Sequence, residues 1–156
     1  MELYDVIIIG GGPAGLNAAV VLGRCRRKVL LFDHGKQRNR HSHGMHNYLT
    51  RDDIEPKKFL ELCKKESTKY GVQIKRIAID HADKKTENHF TVTAADKKIY
   101  HSKKLILATG LVDKLPEVQG AKNIYGKSMH HCPYCDGWEV TGKKIAVYSQ
   151  TKGGVE

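Results

Sequence analysis

Six residues, Gly10-Gly11-Gly12-Pro13-Ala14-Gly15, constrain this chain more than any others. They fit the spacing G-x-G-x-x-G, which is weak by itself and gains force from what flanks it. Before it, Leu-Tyr-Asp-Val-Ile-Ile-Ile at 3–9 is a β-branched run suited to a strand buried on both faces of a parallel sheet. After it, 14–26 is rich in Ala, Leu and Val and ends in Arg24, Arg26 and Arg27, as a helix does at the negative end of its dipole. Then 28–33, Lys-Val-Leu-Leu-Phe-Asp, reads as a second strand, which makes one right-handed βαβ unit. Each part of the turn has a task. Gly10 permits the tight bend, Gly12 lets a diphosphate approach the backbone, and Gly15 lets helix and strand pack closely. The helix N-terminus offers unpaired N–H groups and partial positive charge to phosphate. Asp33, 18 residues past Gly15, can accept hydrogen bonds from ribose hydroxyls. An acid there disfavours a 2′-phosphate, so FAD or NAD is expected rather than NADP.

Composition excludes several other classes. With 40% hydrophobic and 28% charged residues a packed core is feasible, and wholesale disorder is not expected. Four cysteines in 156 residues are too few for a disulfide-stapled secreted scaffold. The net charge of +10 comes largely from lysines scattered through 57–104, and no zinc-finger spacing or RNA-binding aromatic pattern accompanies it. A solvated basic face is expected, with no nucleic-acid partner. The eighteen uncharged residues from Val6 to Gly23 approach the length of a membrane span, but the glycines and Pro13 in their middle break any helix. Glu2 and Asp5 stand where a signal peptide needs positive charge. A soluble, cytoplasmic protein with no membrane partner is the expectation.

Further along, 34–54 is a polar loop holding four of the nine histidines, long enough that it either binds something or moves. Pro56 opens a helix running to about Tyr70, closed by Gly71, with Phe59, Leu60, Cys63 and Ser67 on one face. Cys63 and Cys25 both read as small core residues rather than reactive thiols. Short strands are expected at 72–80, 89–94 and 98–101, forming an antiparallel meander that interrupts the parallel pattern. Another apolar strand, 105–108, ends in Ala108-Thr109-Gly110. A connector follows Pro116 and Gly120, and 143–148, Lys-Lys-Ile-Ala-Val-Tyr, is expected to begin a new strand.

The second anchor is Cys132-Pro133-Tyr134-Cys135. Two thiols at this spacing can close a disulfide with little backbone movement. A helix starting there lowers the pKa of the leading thiol, and the thiolate is the nucleophile. His130 and His131 can add positive charge, and Asp136 can pass a proton to or from a sulfur. Three other readings compete. Zinc held by His130, His131, Cys132 and Cys135 requires four ligands from six consecutive residues, whose side chains diverge. A structural disulfide fits poorly with a reducing compartment. A glutaredoxin-like module would place the motif near the start of its own fold, and only 21 residues follow here. No metal site is expected.

The glycine turn at 10–15, Ala108-Thr109-Gly110, and Cys132-Pro133-Tyr134-Cys135-Asp136-Gly137, in that order, resemble the low-molecular-weight thioredoxin reductases among the two-dinucleotide flavoproteins. The stretch from Arg38-Asn39-Arg40 through Asn47 to Asp52 is similar to a subgroup that includes flavin-dependent dithiol oxidases. The resemblance implies a three-layer α/β FAD-binding domain of Rossmann type with a β-meander over 1–115. It implies the start of an incomplete second nucleotide-binding domain over 116–156. FAD contacts would come from Gly10, Gly12, Pro13, Ala14, Gly15, Asp33, Arg40, Asn47, Ala78, Ala108, Thr109 and Gly110. Cys135 would face the flavin, Cys132 would exchange with an outside disulfide, and Asp136 would serve as acid and base. A thioredoxin-like protein or a small dithiol or disulfide would be the partner, and a homodimer is implied. Two departures stand out. Members of that family are roughly twice this length, so a fragment without activity of its own is the alternative reading. No second G-x-G-x-x-G follows 143–148, only Gly153-Gly154. That argues against NAD(P)H binding and for an oxidase using O₂ or a reductase fed by another donor.

Overall fold

The computed structural model describes residues 2–149. Four strands run parallel: β1 (Leu3–Ile9), β2 (Val29–Phe32), β3 (Gln73–Lys75) and β6 (Ile99–Leu107). Two more, β4 (Ile79–Thr86) and β5 (His89–Ala94), join antiparallel, which gives one sheet in the order β3-β2-β1-β6-β5-β4. Two long helices, α1 (Pro13–Arg24) and α2 (Pro56–Lys69), supply the crossovers.

The central strands are buried on both faces, as their unbroken apolar runs require. Val6, Ile8, Val29 and Leu31 face the helices and pack on Leu16, Ala19 and Val72. Ile7, Leu30 and Phe32 point the other way and are covered by Val92 of β5, with Ile79, Ala82 and Tyr100 beside it. The meander therefore folds over the sheet face opposite the helices, and the three layers are helices, parallel sheet and meander. Phe32 and Tyr100 meet edge-on across this second interface, ring centres 5.0 Å apart. Each fully buried aliphatic side chain here stabilises the fold by roughly 1.5–3 kcal/mol.

Several sequence expectations need correction. The run 72–80 is two strands: 73–75 continues the parallel sheet beside β2, and 79–86 turns into the meander. The runs 98–101 and 105–108 are one strand, β6, because its first half pairs with β5 while its second half pairs with β1. The strand expected at 143–148 does not form, since no neighbouring strand among the described residues takes up its backbone groups. Ile145, Val147 and Tyr148 stay exposed there. Cys25 is exposed, because it caps the C-terminus of α1 beyond the helix's packed face, whereas Cys63 packs against the helix-side core as expected. Gly153-Gly154 lies outside the described residues.

Candidate functional site: the glycine turn and the disulfide

β1 runs between β2 and β6, and the glycine turn leaves its carboxyl end between the ends of both neighbours. Gly10 donates its N–H to the Phe32 carbonyl at 2.9 Å, and Ala108 donates to the Ile9 carbonyl at 2.8 Å. Gly10 has φ +123°, and a Cβ there would sit 2.0 Å from the Ala108 oxygen. Only glycine accommodates both demands. A Cβ on Gly15 would lie 1.9 Å from the Gly10 oxygen, so α1 packs directly on the bend. Gly12 differs: a Cβ there meets nothing within 4 Å. It faces open space at the start of a 12-residue helix that no side chain caps and whose first turn carries no acid. The first amides of a helix have no partner within it. Pro13, at the first helical position, removes an N–H that would have been unpaired there. An uncapped, acid-free helix start beside an uncrowded glycine fits a dinucleotide diphosphate.

Asp33 lies against the same bend, where a Cβ on Gly11 would approach its Cγ to 2.4 Å. Its side chain is almost fully buried. Oδ1 accepts from the Gly35 N–H and the Gln37 amide, each at 2.8 Å, and Oδ2 accepts from the Lys64 ammonium at 2.6 Å. Burial pushes its pKa up, but Lys64, the Gly35 amide and Gln37 together outweigh that and hold it below the usual carboxylate range. With three contacts made, the carboxylate keeps capacity for one more donor. Thr109 and Gly110 are exposed beyond the end of β6, with Ala108 half-buried. Ala78 is exposed past the end of β3, where Lys75 accepts the Asp33 N–H at 2.9 Å. Gly10, Asp33, Ala78 and Ala108 to Gly110 therefore share the carboxyl edge of the parallel strands.

The loop between β2 and α2 is ordered by an isolated bridge between Met45 and Ile54. Three of its non-glycine residues, Asn47, Thr50 and Asp53, have positive φ, an unusual state for Thr50 in particular. Arg40 donates to the Gln37 carbonyl at 3.0 Å within the loop. Asn47 reaches out of it and donates its side-chain amide to the Tyr134 carbonyl. His46 lies 3.4 Å from Glu139. The sequence-predicted loop is thereby brought to the thiol pair.

Cys132 and Cys135 are joined in a disulfide. Neither sulfur is then a thiolate ligand, and among the described residues no group of three or more His, Cys, Asp or Glu could hold a metal. The expected helix is a single turn, α3 (Pro133–Asp136), with Cys132 as its N-cap. So short a helix carries little dipole, which removes most of the expected pKa lowering from that source. Cys135 is exposed and Cys132 half-buried. Asp136 points to His130, 3.3 Å away, rather than standing free.

Four residues of this region escaped the sequence reading as site components: Lys64, Asp113, Tyr125 and Arg38. Arg38 forms a two-pronged pair with Asp113 at 2.7 and 2.6 Å, and Tyr125 donates its hydroxyl to the same carboxylate. The Arg38 guanidinium is the main reason Asp113 is held down to about 2, with Tyr125 adding to it against the effect of burial. Between the Arg38 loop and the 111–125 connector lies a cavity of about 890 Å³ whose walls include Lys36, Arg40, Lys114 and Lys122. Lys64 left one trace in the sequence: it stands four residues after Leu60, beside the apolar face of α2. The Arg38–Asp113–Tyr125 contacts left none, since they join segments far apart in the chain.

A parallel sheet whose first strand delivers a glycine bend to an uncapped helix defines a dinucleotide-binding domain of Rossmann type. The family model for pyridine nucleotide-disulphide oxidoreductases matches residues 4–148, and the chain belongs to that family. A probable thioredoxin reductase from Arthroderma benhamiae is 41% identical over 150 residues, covering 92% of this chain and 37% of that protein. Among solved structures, HlmI superposes with a TM-score of 0.86 at 40% identity, over 88% of this chain and 44% of that one. A putative thioredoxin reductase, TrxB from Bacillus anthracis, gives 0.84 at 39% identity, over 87% and 46%. The chain thus spans less than half the length of these relatives. FAD is the cofactor that membership in this family implies, with NAD(P)H binding also found within it.

Proposed function

We propose that the chain forms the FAD-binding part of a thiol–disulfide oxidoreductase of thioredoxin reductase type, residues 1–115 holding the dinucleotide and 116–156 beginning a second domain. The observation that carries this reading is the bend at 10–15. It is wedged against Ala108 and Asp33 yet open at Gly12, in a chain that also closes the Cys132–Cys135 disulfide. FAD, when bound, supplies a carrier for two electrons. The Gly12, Ala14 and Gly15 amides hold its diphosphate, Asp33 takes a ribose hydroxyl, and Arg40, Asn47, Ala78 and Ala108 to Gly110 line its remaining length.

At the sulfurs the chemistry balances as follows. Two electrons and two protons open Cys132–Cys135 to two thiols. The Cys132 thiolate attacks an outside disulfide, forming a mixed disulfide and expelling one thiolate. The Cys135 thiolate then attacks Cys132, restoring the internal disulfide and releasing the second thiolate. Asp136 gives and takes the sulfur proton, with His130 as its counter-group. Run backwards, the same steps oxidise an outside dithiol. About 30 mV in the potential of the pair is worth 1.4 kcal/mol, so small differences in its surroundings set the direction. A thioredoxin-like protein or a small dithiol or disulfide is the partner, such exchange suits the cytoplasm, and a homodimer is the assembly read from the resemblance.

The test is to mix the purified chain with FAD, remove free flavin by gel filtration, and record flavin absorption. Retained flavin is expected, with Gly12→Ala retaining far less while melting at the same temperature. With the pair reduced, iodoacetamide is expected to modify Cys132 faster than the half-buried Cys63, whose pKa burial raises. A chain that stays colourless with excess FAD, or a Cys132 no more reactive than Cys63, would overturn the reading.

A further inference from the structure

Three chain segments meet beside the disulfide. Arg38 comes from the loop after β2, Asp113 from the stretch after β6, and Tyr125 from the turn that is bridged at Tyr125 and Met129. Arg38 Nε and Nη2 donate to the two Asp113 oxygens at 2.7 and 2.6 Å. With that guanidinium in place the carboxylate is ionised throughout the neutral range, so it only accepts hydrogen bonds. The Tyr125 hydroxyl has one proton, and it is given to Asp113 Oδ2. That hydroxyl also takes a hydrogen bond from the Arg38 side chain, and His131 Nδ1 lies 3.3 Å from it, the two rings 6.0 Å apart and tilted by 31°. A phenol oxygen whose proton is committed elsewhere can only accept from that nitrogen.

We propose that Tyr125, itself held by Asp113 and Arg38, is a positioning residue that fixes neutral His131 as the Nδ1–H tautomer. Its Nε2 is left as a free base on the residue that precedes Cys132. A neutral imidazole carries one N–H, and the hydrogen bond made by one ring nitrogen decides which nitrogen bears it. Besides Tyr125, the charged or titratable groups lining the small hollow next to His131 are Arg38, His41, His130 and Asp136, with Asn39 and Ser42 between them. His130 is engaged with Asp136 at 3.3 Å, and Arg38 with Asp113, so Tyr125 is the partner that sets Nδ1. The connection to thiol chemistry rests on the function proposed above; the tautomer does not. On that function, Nε2, carried by the residue before Cys132, would be a second base beside Asp136 for the proton leaving the Cys132 sulfur, and the resulting imidazolium would keep its Nδ1 proton on the Tyr125 oxygen.

Long-range proton–nitrogen NMR of the ¹⁵N-labelled full chain reads the tautomer directly, with His131→Asn assigning the ring signals. The wild type is expected in the Nδ1–H form above the titration of the ring. Tyr125→Phe keeps the ring contact and removes the oxygen, and should lower the Nδ1–H to Nε2–H ratio by about fivefold, the population worth of one net hydrogen bond. Nε2–H as the dominant wild-type form, or a ratio unchanged in Tyr125→Phe, would sink the proposal, and the first of these needs no variant. In the reduced chain the pH of half-maximal Cys132 alkylation should rise in Tyr125→Phe; an unmoved profile would overturn the link to the thiol. Both readouts are made without flavin, so a failure to bind FAD and a failure of this proposal are separately visible.

Discussion

Two glycines of one turn carry opposite demands, and that difference can be measured. Gly15 has no room for a methyl group, since its Cβ would lie 1.9 Å from a carbonyl oxygen, while Gly12 faces open space. Gly15→Ala should cost about 1–3 kcal/mol of stability through overpacking, read as a lower denaturant midpoint. Gly12→Ala should stay within about 0.5 kcal/mol of wild type. Equal losses at both positions would refute this division between a packing glycine and a ligand-facing one. The Asp33–Lys64 pair is a second residue-scale case. Asp33 is buried and Lys64 half-exposed, so Lys64→Met strands an acid whose remaining donors are the Gly35 amide and Gln37. About 2 kcal/mol of destabilisation in urea unfolding at pH 7 is expected. The acid side also has a defined pH window. A carboxylate whose folded pKa is depressed stabilises the fold fully above its unfolded pKa of about 3.9, and loses that contribution as pH falls through the folded value. For Asp113, held at about 2, the loss falls between roughly pH 4 and pH 2. Melting temperatures of Asp113→Asn should therefore converge on wild type as pH drops through that window. A constant gap would contradict the sign.

Among the elements, β6 does the most joining. One end pairs with β5 in the meander and the other with β1 in the parallel sheet, so it carries the chain from the outer layer to the edge where Ala108 meets Gly10. Ser102 sits at the changeover, opposite both Tyr4 and Phe90, fully buried. Among the described residues its hydroxyl has no hydrogen-bond partner. An unpaired buried hydroxyl is costly, and removing it leaves only a small gap. Ser102→Ala should therefore raise stability by about 1 kcal/mol, seen as a higher melting temperature. A fall of similar size would mean the hydroxyl is satisfied in solution. The 34–54 loop is the other joining element, since Asn47 and His46 tie it to the segment after Cys132.

At the scale of the molecule, the three layers place the glycine bend, Asp33 and Ala108 on one edge, and the Asn47 and Arg38 contacts bring the disulfide segment to the loop beside it. Among the described residues no helix is long and apolar enough to cross a membrane. The βαβ unit, the helix from Pro56 and the presence of a meander were legible in the sequence because each depends on local pattern. Apolar runs of length suited to a buried strand, proline at a helix start and glycine at a bend act over a few residues. The spacing of Cys132 and Cys135 likewise showed that a disulfide could close. The merging of 98–101 with 105–108, the division of 72–80 and the absence of a strand at 143–148 were not legible. Strand extent is decided by which neighbour offers hydrogen bonds, and that neighbour is distant in the chain. The same holds for Arg38, Asp113 and Tyr125 around His131, where a pair across 75 residues leaves no periodic trace; the place of Lys64 beside the apolar face of α2 was visible, but its meeting with Asp33 was not. Local sterics and hydrophobic period, which sequence encodes directly, determined the bend, the crossover and the two-sided core. Long-range pairing, which only folding supplies, decided the strand limits and the hydrogen-bond partners that govern the chemistry of each acid and base.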